Sequence, residues 1–133
     1  MWGTPPMPTR LLLADDSETV RNVIRMFLEQ CSNLEICGEA ENGLEAVEKA
    51  MQLRPDVVVL DVLMPRMNGI EAASILRKRL PSTKTILFTM YGDYVRTLAS
   101  AAGVQYLVGK PDGMAPLMEA LDAATKGNPK IAG

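Results

Sequence analysis

Four consecutive branched apolar residues, Val57-Val58-Val59-Leu60, run directly into a carboxylate at Asp61. A run without polar alternation reads as a strand buried on both faces, which occurs where helices cover both sides of a parallel sheet. In open sheets of that kind, ligands bind beyond the carboxyl ends of the strands. Asp61 stands at such an end and is the first candidate for chemistry. A plainer role also suits it, that of capping the helix that begins near Pro65 or Asn68.

The remaining sequence supplies partners for that strand. Apolar runs alternate with helical patterns five times, the signature of an α/β chain. Leu11 to Ala14 is the first strand and ends in Asp15 and Asp16. Ser17 is placed to cap a helix carrying Val20, Val23, Ile24, Phe27, Leu28 and Cys31 at the 3.6-residue period. Leu34 to Gly38 is a short second strand. Asn42-Gly43 opens a helix with Leu44, Val47, Ala50 and Met51 on one face, stopped before Pro55, which disfavours helical geometry in Arg54. Asp56 to Leu60 is the central strand. After Asn68-Gly69 a third helix carries Ile70, Ala73, Leu76 and Leu80, and Pro81 closes it. Thr85 to Thr89 is the fourth strand. Tyr91 to Ala102 is weakly amphipathic, with Val95, Leu98, Ala99 and Ala102 expected inward and Gly103 as its stop. Val104 to Val108 is the fifth strand. A last helix runs from Asp112 or Met114 to about Lys126, with Leu117, Ala120, Leu121 and Ala124 inward.

Composition narrows the function. The 133 residues suit one domain with a core large enough to need no metal or disulfide staple. Fourteen Lys and Arg against sixteen Asp and Glu give a net charge of -2, which offers no general attraction to nucleic acid or an anionic membrane. DNA binding would require another domain. Cys31 and Cys37 lack the number and spacing of a disulfide framework or zinc site and read as small buried hydrophobes in a cytoplasmic protein. The chain has no histidine, which excludes His-based triads, His metal sites and an internal phosphohistidine relay. Residues 1–10, with three prolines and a glycine, read as a flexible leader, 11–126 as the folded domain and 127–133 as a tail. No stretch is long enough for a signal sequence or a membrane span.

Laid on this scheme, Asp15, Asp16, Asp61, Thr89 and Lys110 all fall at one edge of the sheet. Three adjacent carboxylates repel one another unless a hard cation neutralises them, so the cluster predicts an oxygen-ligated Mg²⁺. Lys110 is a second neutraliser, suited to a phosphoryl or carboxylate oxygen, and Thr89 offers one hydroxyl hydrogen bond. With its charge so offset, an Asp carboxylate attacks phosphorus to form an acyl phosphate, and the reaction class is phosphoryl transfer to Asp61.

Asp15-Asp16, the run VVVLDVLMPRMNG from Val57 to Gly69, Phe88-Thr89 and Lys110-Pro111, in that order and spacing, resemble the receiver domain of bacterial two-component response regulators. The resemblance covers Leu11 to about Lys126. It implies a doubly wound, flavodoxin-like (βα)5 fold whose five-stranded parallel sheet has the order 2-1-3-4-5. It implies Asp61 as phosphoacceptor, and Asp16, Asp61 and the Leu63 backbone carbonyl as Mg²⁺ ligands, with Asp15 acting through a metal-bound water. Thr89 matches the family's switch hydroxyl and Lys110 the lysine that pairs with phosphoaspartate. Pro111 is expected to follow a cis peptide bond. Implied partners are a sensor histidine kinase and a downstream output protein or an appended effector domain, and a phosphorylation-dependent homodimer is a further expectation. Such a domain catalyses only its own phosphorylation and dephosphorylation, and its output face is expected around Tyr91 to Ala102, Tyr106 and the last helix.

Three positions depart from the family pattern. Met90 follows the switch hydroxyl where a small residue is usual, and its long flexible thioether either narrows the path to Asp61 or swings aside. Leu63 and Tyr91, at sites that by resemblance tune dephosphorylation, are apolar and aromatic and are expected to slow hydrolysis. The switch aromatic stands three residues before the lysine in the family, and here that residue is Leu107. Either a bulge at Gly109 restores Tyr106 to that face or the aromatic coupling is missing. Competing readings are a phosphorylation-independent adaptor of the same fold, the receiver half of a DNA-binding regulator, and an aspartate-based phosphatase. The last would need a second carboxylate two residues after Asp61, where this chain has Leu63.

Overall fold

In a computed structural model that describes residues 7–126, each apolar run becomes a strand and each amphipathic stretch a helix. The order is β1 (Thr9–Ala14), α1 (Glu18–Leu28), β2 (Leu34–Ala40), α2 (Gly43–Leu53), β3 (Val57–Leu60), α3 (Gly69–Arg79), β4 (Lys84–Thr89), α4 (Gly92–Ala101), β5 (Tyr106–Gly109) and α5 (Met114–Lys126). The strands form one parallel sheet in the order β2-β1-β3-β4-β5. This is the doubly wound flavodoxin-like arrangement that the family resemblance implies.

The strands' two-residue period divides the core in two. Leu12, Ala14, Val58, Leu60 and Leu87 face one side, against Ala46, Ala50, Ala72 and Leu76 of α2 and α3. Leu11, Leu13, Val59, Ile86 and Phe88 face the other, against Ile24, Leu28, Leu117 and Leu121 of α1 and α5. Each fully buried Leu or Ile here contributes about 2 kcal/mol of transfer free energy. The small residues on α2 and α3 let those helices lie close to the sheet. α1, α2 and α3 start on side-chain caps: Ser17, Asn42 and Asn68 accept from the N–H groups of Val20, Glu45 and Glu71, and Asn68 with Glu71 forms a full capping box.

Several expectations need correction. β1 opens at Thr9, so Thr9 and Arg10 belong to the sheet and not to the leader, while the leader's first six residues and the tail 127–133 lie outside the described residues. Val23 and Phe27 are half exposed because only the 20/24/28 stripe of α1 meets the sheet, about 100° away around the helix. Leu98 is exposed because α4 covers the margin of the sheet and buries only Ala99 fully. β5 runs to Gly109 in unbroken register with β4, Thr89 opposite Gly109. There is no bulge to turn Tyr106: it packs on the α1/α5 side, and Leu107 takes the opposite face. Every peptide bond among the described residues is trans, including Lys110–Pro111. Pro111 sits in a short 3₁₀ turn, Lys110–Asp112, whose early positions accept its fixed φ in the ordinary trans form.

β2 carries an irregularity that no local pattern announces. Leu11 pairs with Ile36 but Leu12 pairs with Gly38, so Cys37 is an extra residue in the ladder. From there on the faces of β2 are reversed. Glu39 lies opposite Leu13, on the α1 side.

The loop from β3 to α3 carries Asp61 and is pinned by two close backbone approaches. Gly69 donates its N–H to the Val62 carbonyl at 2.8 Å, and a Cβ there would stand 1.9 Å from the Asp61 carbonyl oxygen. Gly43 donates to the Met67 carbonyl at 3.0 Å, and a Cβ there would stand 2.1 Å from that oxygen. No flexible side chain can yield at either point, so the backbone would have to move. Gly69→Ala is therefore expected to lower stability by about 3 kcal/mol, seen as a lower urea midpoint; a midpoint equal to wild type would show that the loop is not held by this contact.

Candidate functional site

β1, β3 and β5 are parallel, so the residues that follow their last apolar positions meet at one edge. Asp15 extends the β1–β2 ladder, its N–H bonded to the Ala40 carbonyl at 3.0 Å, and Asp61 does the same between strands, its N–H bonded to the Ala14 carbonyl at 2.9 Å. Both carboxylates are thus placed by sheet hydrogen bonds. Asp15 is 2% exposed and Asp61 9%. Asp16, on the solvent side, completes a group in which one carboxylate oxygen from each residue lies within 4.8 Å of the other two.

Each buried carboxylate has its oxygens assigned. Asp15 Oδ1 accepts from the Ser17 N–H at 2.9 Å, and Asp61 Oδ1 from the Val62 N–H at 2.7 Å. Lys110 Nζ donates to the two remaining oxygens, Asp15 Oδ2 at 2.7 Å and Asp61 Oδ2 at 3.1 Å. Two carboxylates share one ammonium, and the affinity of Asp61 for a proton reflects it. Burial pushes the Asp61 carboxyl up, Lys110 opposes that, and the neighbouring Asp15 charge adds to it, leaving the group above the ordinary carboxylate range. Burial alone would lower Lys110, but its hydrogen bond to Asp15 and the charges of Asp61 and Asp15 outweigh burial and hold the ammonium above its usual value.

The donor set is all hard oxygen, carboxylates on two adjacent strand ends with no sulfur or imidazole. That chemistry fits a hard divalent cation such as Mg²⁺, which takes a few carboxylates and completes its shell with other oxygens.

The other predicted residues fall around this core. Thr89 ends β4, fully buried, and its hydroxyl accepts from the Tyr91 N–H at 3.3 Å, so it is tied to the start of α4 and has no hydrogen bond to Asp61. Leu63 lies two residues along the loop with its side chain exposed, and Tyr91 is half exposed. Met90 is 58% exposed, the condition expected of a thioether that swings aside. Sequence reasoning assigned Ser17 only a helix cap, yet its N–H also holds Asp15. It gave Gly69 no part in the site, although Gly69 fixes the backbone on which Asp61 sits.

Comparison with known proteins identifies the pattern. The family model described as response regulator receiver domain matches residues 11–122. The transcriptional regulatory protein LiaR of Bacillus subtilis is 39% identical over 124 residues, 92% of this chain and 58% of that protein. The chain thus spans a little over half of LiaR's length. The chemotaxis protein CheY of Thermotoga maritima is 36% identical over 121 residues, 90% of this chain and 100% of that one. Among solved structures, the response regulator domain of Thermotoga maritima CheB superposes with a TM-score of 0.84 at 32% identity, covering 92% of this chain and 99% of that domain.

The raised Asp61 carboxyl gives a pH signature. The folded state holds this proton to higher pH than the unfolded chain, so stability falls as pH rises from the ordinary carboxylate range through the raised value. The favourable Lys110 contribution persists through that window, because a raised lysine is lost only at far higher pH. In metal-free buffer, Asp61→Asn should therefore unfold at a higher temperature than wild type at neutral pH, and the gap should close as pH drops below the carboxylate range. Equal neutral-pH midpoints would mean that Lys110 fully offsets the burial of Asp61.

Proposed function

The chain belongs to the response regulator receiver domain family, and on that premise we propose that it accepts a phosphoryl group on Asp61 from a sensor histidine kinase and changes its surface in response. The observation that carries this reading is the buried Asp61 carboxylate at the end of β3, oriented by the Val62 N–H and faced by Lys110.

The residues divide the work. The Val62 N–H holds one Asp61 oxygen and leaves the other as the attacking atom. Its lone pair forms the new O–P bond while the bond from phosphorus to the kinase histidine breaks, the electron pair leaving on the imidazole nitrogen. Lys110 keeps positive charge beside the acceptor throughout, and Asp15 holds that ammonium in place. Asp16, Asp61 and the Leu63 carbonyl are the groups that would hold Mg²⁺, with Asp15 reaching it through a water, and the cation there would supply positive charge against the phosphoryl oxygens. Nothing in this set supports turnover of an external substrate: Leu63 stands where a phosphatase would need its general acid. The domain acts as a signalling element in a cytoplasmic two-component pathway.

Thr89 is the link to output. Its hydroxyl, now tied to the Tyr91 N–H, is the group that would turn toward a phosphorylated Asp61 and draw the start of α4 with it. The surface so affected includes the exposed Met90, Tyr91, Tyr94 and Leu98 and a groove of about 620 Å³ between α4 and α5 lined by Tyr91, Tyr94, Leu107 and Ala123. Output through protein contacts on this face is the primary reading, and a phosphorylation-dependent homodimer would use the same face. The partial coverage of LiaR supports a second one, in which the domain governs an appended DNA-binding domain.

Intact mass after incubation with Mg²⁺ and a small-molecule phosphodonor tests the proposal. Wild type should gain one phosphoryl group, and neither omission of Mg²⁺ nor Asp61→Asn should permit it. No addition in wild type would turn the assignment toward a phosphorylation-independent adaptor. The apolar Leu63 and aromatic Tyr91 beside the site are expected to keep water away, so the phosphoryl group should decay over minutes or longer; decay within seconds would overturn that role.

A further inference from the structure

The carbonyl of Asp15 is held by a side chain that no motif of the family reading includes. Arg21, one turn into α1, folds back so that Nη1 donates to the Asp15 carbonyl at 2.6 Å while Nε donates to Glu39 Oε1 at 3.1 Å. Its side chain is only 13% exposed. Glu39 is itself fixed: Oε2 accepts from Arg25 Nε at 2.7 Å, and its backbone carbonyl accepts from the Lys49 ammonium. The result is a bridge from the edge strand β2, through Arg21, to the turn that presents Asp15 and Asp16.

Glu39 reaches α1 because of the extra residue at Cys37. With strict alternation from Ile36, Glu39 would point to the α2 side of the sheet; the bulge reverses the phase and sets it opposite Leu13, facing Arg21 and Arg25. The planar guanidinium then meets a carboxylate through Nε and a carbonyl through Nη1, two donors held in one rigid fork.

We propose that Arg21, braced by Glu39, is a positioning residue for the acidic site: it fixes the Asp15 backbone and thereby the direction in which the Asp15 carboxylate faces Lys110 and a bound cation. Asp15 has the Ser17 N–H on one carboxylate oxygen and Lys110 on the other, so a rotation of its backbone would disturb both contacts. This inference rests on the function proposed above for its connection to Mg²⁺, but the positioning itself is a property of the metal-free protein.

The sign of the effect separates positioning from charge. Removing a cation beside three carboxylates would, by Coulomb's law alone, tighten the binding of Mg²⁺. Loss of positioning weakens it. Arg21→Gln is expected to bind Mg²⁺ about tenfold more weakly by calorimetry, the scale typical of lost outer contacts to metal ligands. Arg25→Gln, which removes the same charge from Glu39 without touching Asp15, should bind Mg²⁺ no more weakly than wild type. In metal-free protein, hydrogen exchange at the Ser17 amide should accelerate in Arg21→Gln relative to the central amides of α1, and should not in Arg25→Gln. A lower unfolding temperature with unchanged or tighter Mg²⁺ binding, or an unchanged Ser17 exchange rate, would overturn the proposal and leave Arg21 as a structural tie. If wild type binds no Mg²⁺ and takes up no phosphoryl group, the functional reading fails, while the Ser17 exchange still decides the positioning claim.

Discussion

The Lys110 ammonium, 2.7 Å from Asp15 and 3.1 Å from Asp61, makes an acidic cluster tolerable at the end of a buried sheet. Without it two carboxylates would face each other in a region from which most water is excluded, and at least one would have to remain protonated. The compensation is incomplete. Two acids share one base, so Asp61 stays reluctant to ionise while the lysine is held charged. A site left with unbalanced negative charge is suited to a hard cation and, after that, to a phosphoryl group.

This arrangement depends on the parallel sheet. Parallel β1, β3 and β5 bring Asp15, Asp61 and Lys110, far apart in the chain, to one edge, and the hydrogen bonds of Asp15 to Ala40 and Asp61 to Ala14 extend the ladder into the site. Asp15 and Asp61 are therefore held by the sheet's own hydrogen bonds, and the backbone at Asp61 is further pinned by the close approach of Gly69. The other side of the site is looser. α4 buries one residue fully, lacks a side-chain N-cap and begins at a half-exposed Tyr91. A firmly held Asp61 beside a loosely held helix is the physical basis of the proposal that Thr89 and α4 carry the conformational response.

Much of this was legible from residues alone. Buried strands announced themselves as unbroken apolar runs, and the caps at Ser17, Asn42 and Asn68 marked the helix starts. What failed did so for identifiable reasons. The periodic apolar stripes of α1 and α4 are wider than the buried ones, because periodicity says which residues share a face and not how much of that face a neighbour covers. Val23, Phe27 and Leu98 are the cost. The alternatives at Tyr106 turned on the presence or absence of one residue of register, which no local pattern encodes; the unbroken pairing of β4 with β5 decided it for Leu107. The trans bond at Lys110–Pro111 replaced an expectation carried over from the family.

By itself the sequence determined the alternating α/β order, the two faces of the central strands and the gathering of Asp15, Asp16, Asp61, Thr89 and Lys110 at one edge, because those follow from short-range periodicity and from the parallel topology it implies. Tertiary structure alone decided which oxygens the lysine bridges, that Met90 turns toward solvent, and that Cys37 is an extra residue in β2. The last of these has the longest reach. One unpaired residue reverses a strand's faces, so Glu39 meets Arg21 and Arg21 meets the Asp15 carbonyl, contacts between positions whose spacing along the chain carries no period to reveal them.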